Sequence, residues 1–148
     1  MKRINEYKKL FNVEKDMTLK SLKTTYRNLV KEWHPDKFQD NDAKAQEAEI
    51  VSRKIIDGYH FLVSIAPETI TANLDEYNST INTTIMDWQH KGLLLEVTFL
   101  DGNTYEYFGV NKALYIKFSQ SDKQTRFGKR NIFNSFTYRK IKKQDVMA

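Results

Sequence analysis

Lys20, Lys23, Arg27 and Lys31 follow one another at steps of three, four and four, and the triplet His34-Pro35-Asp36 comes three residues later. At about 3.6 residues per helical turn, such spacing lines up one face. Four positive charges on one face suit an anionic partner, either an acidic protein surface or the phosphates of nucleic acid. A second cluster, Arg126, Lys129 and Arg130, could meet phosphates, and Tyr105 and Tyr107 could stack on bases. The plain alternatives are a solvated helix face for the first set and, for the tyrosines, opposite faces of one strand, so that at least one is buried. Catalytic chemistry has no such foothold. No Gly-rich phosphate loop, nucleophile elbow or metal-ligand cluster is present. Without cysteine there is neither a disulfide nor a thiolate, and His60 and His90 lack ligand partners at metal spacing. The expected chemistry is recognition, with no metal or cofactor.

The elements that must hold these residues change character near Pro67. Before it, apolar residues recur every three or four positions, which predicts helices. A short helix is expected over 4–11, with Ile4, Tyr7, Leu10 and Phe11 on one face. Thr18 is a good N-cap for a second helix running from Leu19 to about Glu32. Its apolar stripe is Leu19, Leu22, Tyr26, Leu29, Val30 and Trp33, leaving the row of cations exposed. Pro35 stops it, because proline lacks an N–H and disfavours helical geometry at His34. Residues 36–41 read as a loop, and a long helix over 42–64 follows, with Ala45, Ala48, Val51, Ile55, Tyr59 and Leu62 facing inward. Two long helices joined by a short loop bury both stripes only as an antiparallel hairpin.

Residues 67–77 suit a short helix with proline at its first position, and 78–84 read as a linker. Beyond Ile85, Leu95, Val97 and Phe99 alternate with polar residues, Asp101-Gly102 signals a hairpin turn, and residues 104–108 return. Helices are expected over 111–120 and 122–133, with a closing strand over 136–141. The predicted architecture is an all-α helical hairpin followed by a small α+β domain with an antiparallel sheet. Its parts are a first domain at 1–66, a short helix and linker at 67–84, and a second domain at 85–148.

The 148 residues carry a net charge of +5, unevenly spread. Residues 1–66 hold 13 Lys/Arg against 10 Asp/Glu, residues 67–84 three acids and no base, and residues 85–148 eleven bases against six acids. Two basic modules thus flank an acidic segment. The basic N-terminus lacks an apolar signal core, and Glu96 interrupts the longest greasy stretch, so a soluble protein of the cytoplasm with no membrane association is expected.

Three blocks in register carry a family resemblance: Tyr7-x-x-Leu10-x-x-Val13, Tyr26-Arg27-x-Leu29-Val30-x-x-Trp33-His34-Pro35-Asp36-Lys37, and Ile55-x-x-x-Tyr59-x-x-Leu62. Over residues 4–64 the chain resembles the J domain of the DnaJ family. The resemblance implies docking on a DnaK-type heat-shock chaperone and stimulation of its ATPase. The helix bearing Lys20, Lys23, Arg27 and Lys31 would lie on an acidic surface of the partner. Asp36 would offer its carboxylate to a partner arginine, Pro35 would fix the turn, and His34 would brace it. Some residues depart from the family pattern. Trp33 replaces a usual tyrosine, a conservative aromatic change, whereas Ser52 stands where phenylalanine is common in the third helix, which is therefore expected to pack in a shifted register. Glu68, Asp75 and Glu76 occupy a region that is often basic, and neither a Gly/Phe-rich linker nor a cysteine-rich zinc module is present.

Over 85–141, Tyr105-Glu106-Tyr107, Phe118-x-x-Ser121, Phe127-Gly128, Ile132 and Tyr138-x-x-Ile141 resemble the KTSC domain, with Asn111 where proline commonly follows the valine. RNA binding has been suggested for that family. The combined expectation is an adaptor whose J domain recruits the chaperone and whose C-terminal domain binds a client, an assembly or RNA. Its rival is a nucleic-acid-binding protein that presents the basic faces of both domains to phosphates. A third reading keeps the J domain as scaffold alone.

Overall fold

Thr18 sets the start of the helix that matters most. Its Oγ1 accepts the backbone N–H of Ser21 at 3.0 Å while Ser21 Oγ accepts that of Thr18 at 3.2 Å. This reciprocal box satisfies two donors that a helix start otherwise leaves orphaned. The computed structural model describes residues 2–13, 17–38 and 42–141, in two compact units, Lys2–Thr69 and a second beginning at Ile70.

In the first unit, α1 spans Lys2–Leu10, α2 Leu19–Trp33 and α3 Asp42–Ile65, with a 3-10 turn at Pro35–Phe38 between the last two. The loop expected over 36–41 is thus partly a helical turn, and residues 39–41 lie outside the described set. Leu22 of α2 and Ala48, Ile55, Phe61, Leu62 and Ile65 of α3 are buried, joined by Ile4 of α1 and by Phe11. Each large side chain buried this way contributes roughly 1.5–3 kcal/mol. Tyr26 stacks on Tyr59 with ring centroids 4.3 Å apart, tying α2 to α3. At Gly58 an added Cβ would lie 2.9 Å from Cδ1 of Tyr7 and 3.2 Å from Cε1 of Phe11. Glycine there lets the aromatic residues of the N-terminal segment lie directly on the α3 backbone.

The second unit contains α5 (Leu74–Ile81), which follows α4 (Pro67–Ala72). Four strands come next: β1 (Ile85–Lys91), β2 (Leu94–Phe99), β3 (Thr104–Phe108) and β4 (Thr137–Ile141), with α6 (Lys112–Gln120) and α7 (Gln124–Asn131) inserted before β4. All neighbours are antiparallel, in the order β1-β2-β3-β4. The alternation in β2 buries Leu95, Val97 and Phe99. Opposite them, Tyr107 pairs with Leu95 and Tyr105 with Val97, so both tyrosines join the same face. Phe118, Ile132 and Phe133 close that core from the helical side. Asn111 caps α6, its Oδ1 accepting the N–H of Leu114 at 2.8 Å.

Residues 78–84, expected as a linker, are helical to Ile81, and Tyr77, Thr80 and Ile81 are buried in the second unit. Their spacing of three and then one is that of a helix face. Thr80 Oγ1 also donates to Asp101 Oδ2 at 2.6 Å and accepts from Asn103 Nδ2 at 3.0 Å, tying α5 to the hairpin turn.

Candidate functional site

The α2 helix ends where His34 turns extended, at φ −62° and ψ 127°, as a residue before proline must. The chain then tightens: the N–H of Lys37 reaches the carbonyl of His34 at 3.0 Å, and that of Asp36 reaches Nδ1 of the His34 ring at 3.2 Å. Asp36 Oδ2 lies 3.5 Å from the same nitrogen, and the two side chains are 77% and 52% exposed. The carboxylate therefore projects outward. His34 braces the turn through its backbone and through one ring nitrogen. Val30, Lys31, His34, Asp36 and Lys37 line a shallow groove at this corner.

Lys20, Lys23, Arg27 and Lys31 are all exposed on α2, on the side away from Leu22. Among the described residues none of the four forms an ion pair. The helix therefore presents a row of cations that ends at a carboxylate-bearing corner.

In the second unit, Arg126, Lys129 and Arg130 lie together on α7, and Lys123, which sequence reasoning passed over, joins them along a groove of about 590 Å³. The spacing of three and four from Lys123 through Arg126 to Arg130 could have revealed it. Among the described residues that line the groove, Asp122 is the single carboxylate. The expectation for the tyrosines needs correcting. Tyr105 and Tyr107 are 2% and 0% exposed, because residues two apart on a strand share a face, and that face is the core. Neither ring is available to stack on a base. Tyr77 Oη donates to the carbonyl of Phe133, so its 3.0 Å partner Tyr107 must be the donor in the bond between the two hydroxyls. Burial pushes the Tyr107 phenol well above its ordinary pKa and that of Tyr105 up to about 12, in the latter case with help from the carboxylate of Glu76. These are structural groups.

Residues 6–63 match the family model of the DnaJ domain, and residues 80–136 that of the KTSC domain. The chain joins a DnaJ domain to a KTSC domain. "Chaperone protein DnaJ" of Thermotoga petrophila and of Thermotoga maritima are each 37% identical to it over 57 residues, which is 38% of this chain and 15% of theirs. The chain thus spans about 15% of the length of these curated relatives. Among the described residues no helix is long and apolar enough to cross a membrane.

Two of the departures from the family pattern have definite partners in this J domain. Ser52 Oγ donates to the carbonyl of Trp33 at 2.9 Å, at the last residue of α2. Glu68 Oε1 accepts the N–H of Leu19 at 2.8 Å, at the first residue of the same helix. A carboxylate at a helix N-terminus also suits the partial positive charge there. These partners lie 19 and 49 residues apart in the chain, and no local pattern announces either. Trp33 keeps an aromatic role, its ring centroid 6.5 Å from that of Phe38 across the corner.

Proposed function

We propose that this chain is a co-chaperone of the cytoplasm whose J domain docks on a DnaK-type heat-shock chaperone and stimulates its ATP hydrolysis. The chain regulates the partner's reaction and performs no covalent chemistry of its own. One observation carries the reading: the exposed Asp36 carboxylate stands at the end of a helix whose free face holds Lys20, Lys23, Arg27 and Lys31. The cations steer the helix onto an acidic surface, an attraction that salt weakens. Asp36 then meets an arginine in a charge-assisted pair, and Pro35 and His34 hold it in place for that contact. Complex formation favours the hydrolysis-competent state of the partner, a coupling typically of ~1–3 kcal/mol. The KTSC domain serves as the targeting module, binding a client or an assembly. In a single-turnover assay with purified DnaK-type chaperone and bound ATP, the full chain should accelerate hydrolysis. Absence of both binding and acceleration would leave the J domain only a scaffold, and binding without acceleration would end the stimulation half of the reading.

The groove on α7 favours a second reading for the C-terminal module, in which Lys123, Arg126, Lys129 and Arg130 take an anionic ligand such as RNA. With Tyr105 and Tyr107 buried, that contact falls to the phosphate backbone and not to the bases. In its strongest form this reading makes the cations of α2 phosphate contacts as well, and leaves Asp36 without a role.

A further inference from the structure

The last carbonyls of a helix have no intrahelical partner and usually face water. At the end of α2, Ser52 from the middle of α3 supplies one, donating its hydroxyl to the Trp33 carbonyl at 2.9 Å in a half-buried setting. Trp33 is the residue from which the corner departs. Downstream of it, the described hydrogen bonds are internal to the turn: Lys37 N–H to His34 carbonyl, and Asp36 N–H to the His34 ring. These bonds hold the 3-10 turn at Pro35–Phe38 to His34 and so to the end of α2, while the turn also packs directly against α3. Aromatic packing between Trp33 and Phe38 adds adhesion but little direction at 6.5 Å. Packing seats both α2 and the turn on α3, and among the described hydrogen bonds the Ser52 hydroxyl adds direction to that seat at the helix end.

We propose that Ser52 is a positioning residue for His34-Pro35-Asp36, setting the angle at which the Asp36 carboxylate leaves the J domain. This rests on the docking reading above. A carboxylate that must meet a planar guanidinium tolerates only about 0.5 Å and 10–20° of error. Loss of the hydroxyl leaves the cations of α2 in place and therefore the encounter intact, but it loosens the contact made after encounter. The expected signature is a lower ceiling of stimulation at an unchanged half-saturating concentration.

The test is single-turnover hydrolysis by a DnaK-type chaperone, titrated with the full chain to saturation. Ser52→Ala should lower maximal stimulation by about 2- to 12-fold, the span that one intramolecular hydrogen bond corresponds to. Its half-saturating concentration should stay within about twofold of the parent, a factor too small for a lost charge contact. Partial unfolding would do the opposite, since adding more chain restores the ceiling. Ser52→Thr and Ser52→Val match each other in shape and differ by the hydroxyl, so Thr should retain the parent ceiling and Val should not. A Val variant that equals Thr at saturation overturns the proposal, even when Asp36→Asn is inactive. Should Asp36→Asn itself match the parent, the docking reading fails and takes the proposal with it.

Discussion

The backbone N–H of Asp36 points into the ring of His34, 3.2 Å from Nδ1, while the Asp36 carboxylate remains 77% exposed. The histidine is thus a brace within the turn. His34→Ala should cost most of the stimulation of a partner ATPase. It should also change the stability of the chain by no more than about 0.5 kcal/mol, as surface substitutions do. Paired hydrolysis and urea-unfolding measurements check both halves.

The cations of α2 should govern encounter. Lys23→Glu with Arg27→Glu should raise the half-saturating concentration about tenfold or more, equivalent to ~1.4 kcal/mol, and leave the ceiling near that of the parent. Raising the salt should erase much of the difference between the parent and the variant, because exposed charges are screened beyond ~8–10 Å. Titrations at two ionic strengths measure this.

The groove on α7 makes a separate prediction about RNA. If all four of its cations contact phosphates, log affinity for a single-stranded RNA should fall with log salt at a slope of about −3. Arg126→Ala with Arg130→Ala should flatten that slope to about half, whereas Tyr107→Phe should leave it unchanged because the ring is buried. Fluorescence anisotropy with the full chain at several salt concentrations reports all three.

The α2 helix, its stop before the corner and its row of cations were legible because the signals that make them are local. Thr18 caps, Pro35 stops, and the cations repeat at helical spacing. The same held for β2, whose alternation of Leu95, Val97 and Phe99 is the alternation of burial observed. Contacts across long chain separations were not legible. Glu68 reads as an acid in an acidic segment until α2 folds against it, and Ser52 reads as a small residue where a large one is common. The polar run over 78–84 hid a helix because its buried positions include Thr80, whose hydroxyl is satisfied by Asp101 and Asn103 of a distant turn. Tyr105 and Tyr107 look adaptable in isolation. Only their registry with Val97 and Leu95 shows that both belong to the core.

The buried tyrosines predict an alkaline limit on stability. The unfolded chain ionises these phenols near pH 10, while the fold holds Tyr77, Tyr105 and Tyr107 neutral beyond it through desolvation. Above pH 10 the unfolded state therefore binds fewer protons than the folded one, and stability falls as pH rises. The share due to Tyr105 is complete below pH 10 and lost as pH climbs to about 12. Urea midpoints of the full chain at pH 8 and pH 11 should show the decline, and Tyr105→Phe should lessen it.

The docking account turns on a single carboxylate. Asp36→Asn keeps the shape of the corner and the bond from its backbone to His34, and removes only the charge offered to a partner. Single-turnover hydrolysis by a DnaK-type chaperone, with saturating parent or Asp36→Asn chain, measures what that charge does. We expect the parent to accelerate hydrolysis and the variant to fall to the unstimulated rate, whereas equal acceleration by the two would contradict the account.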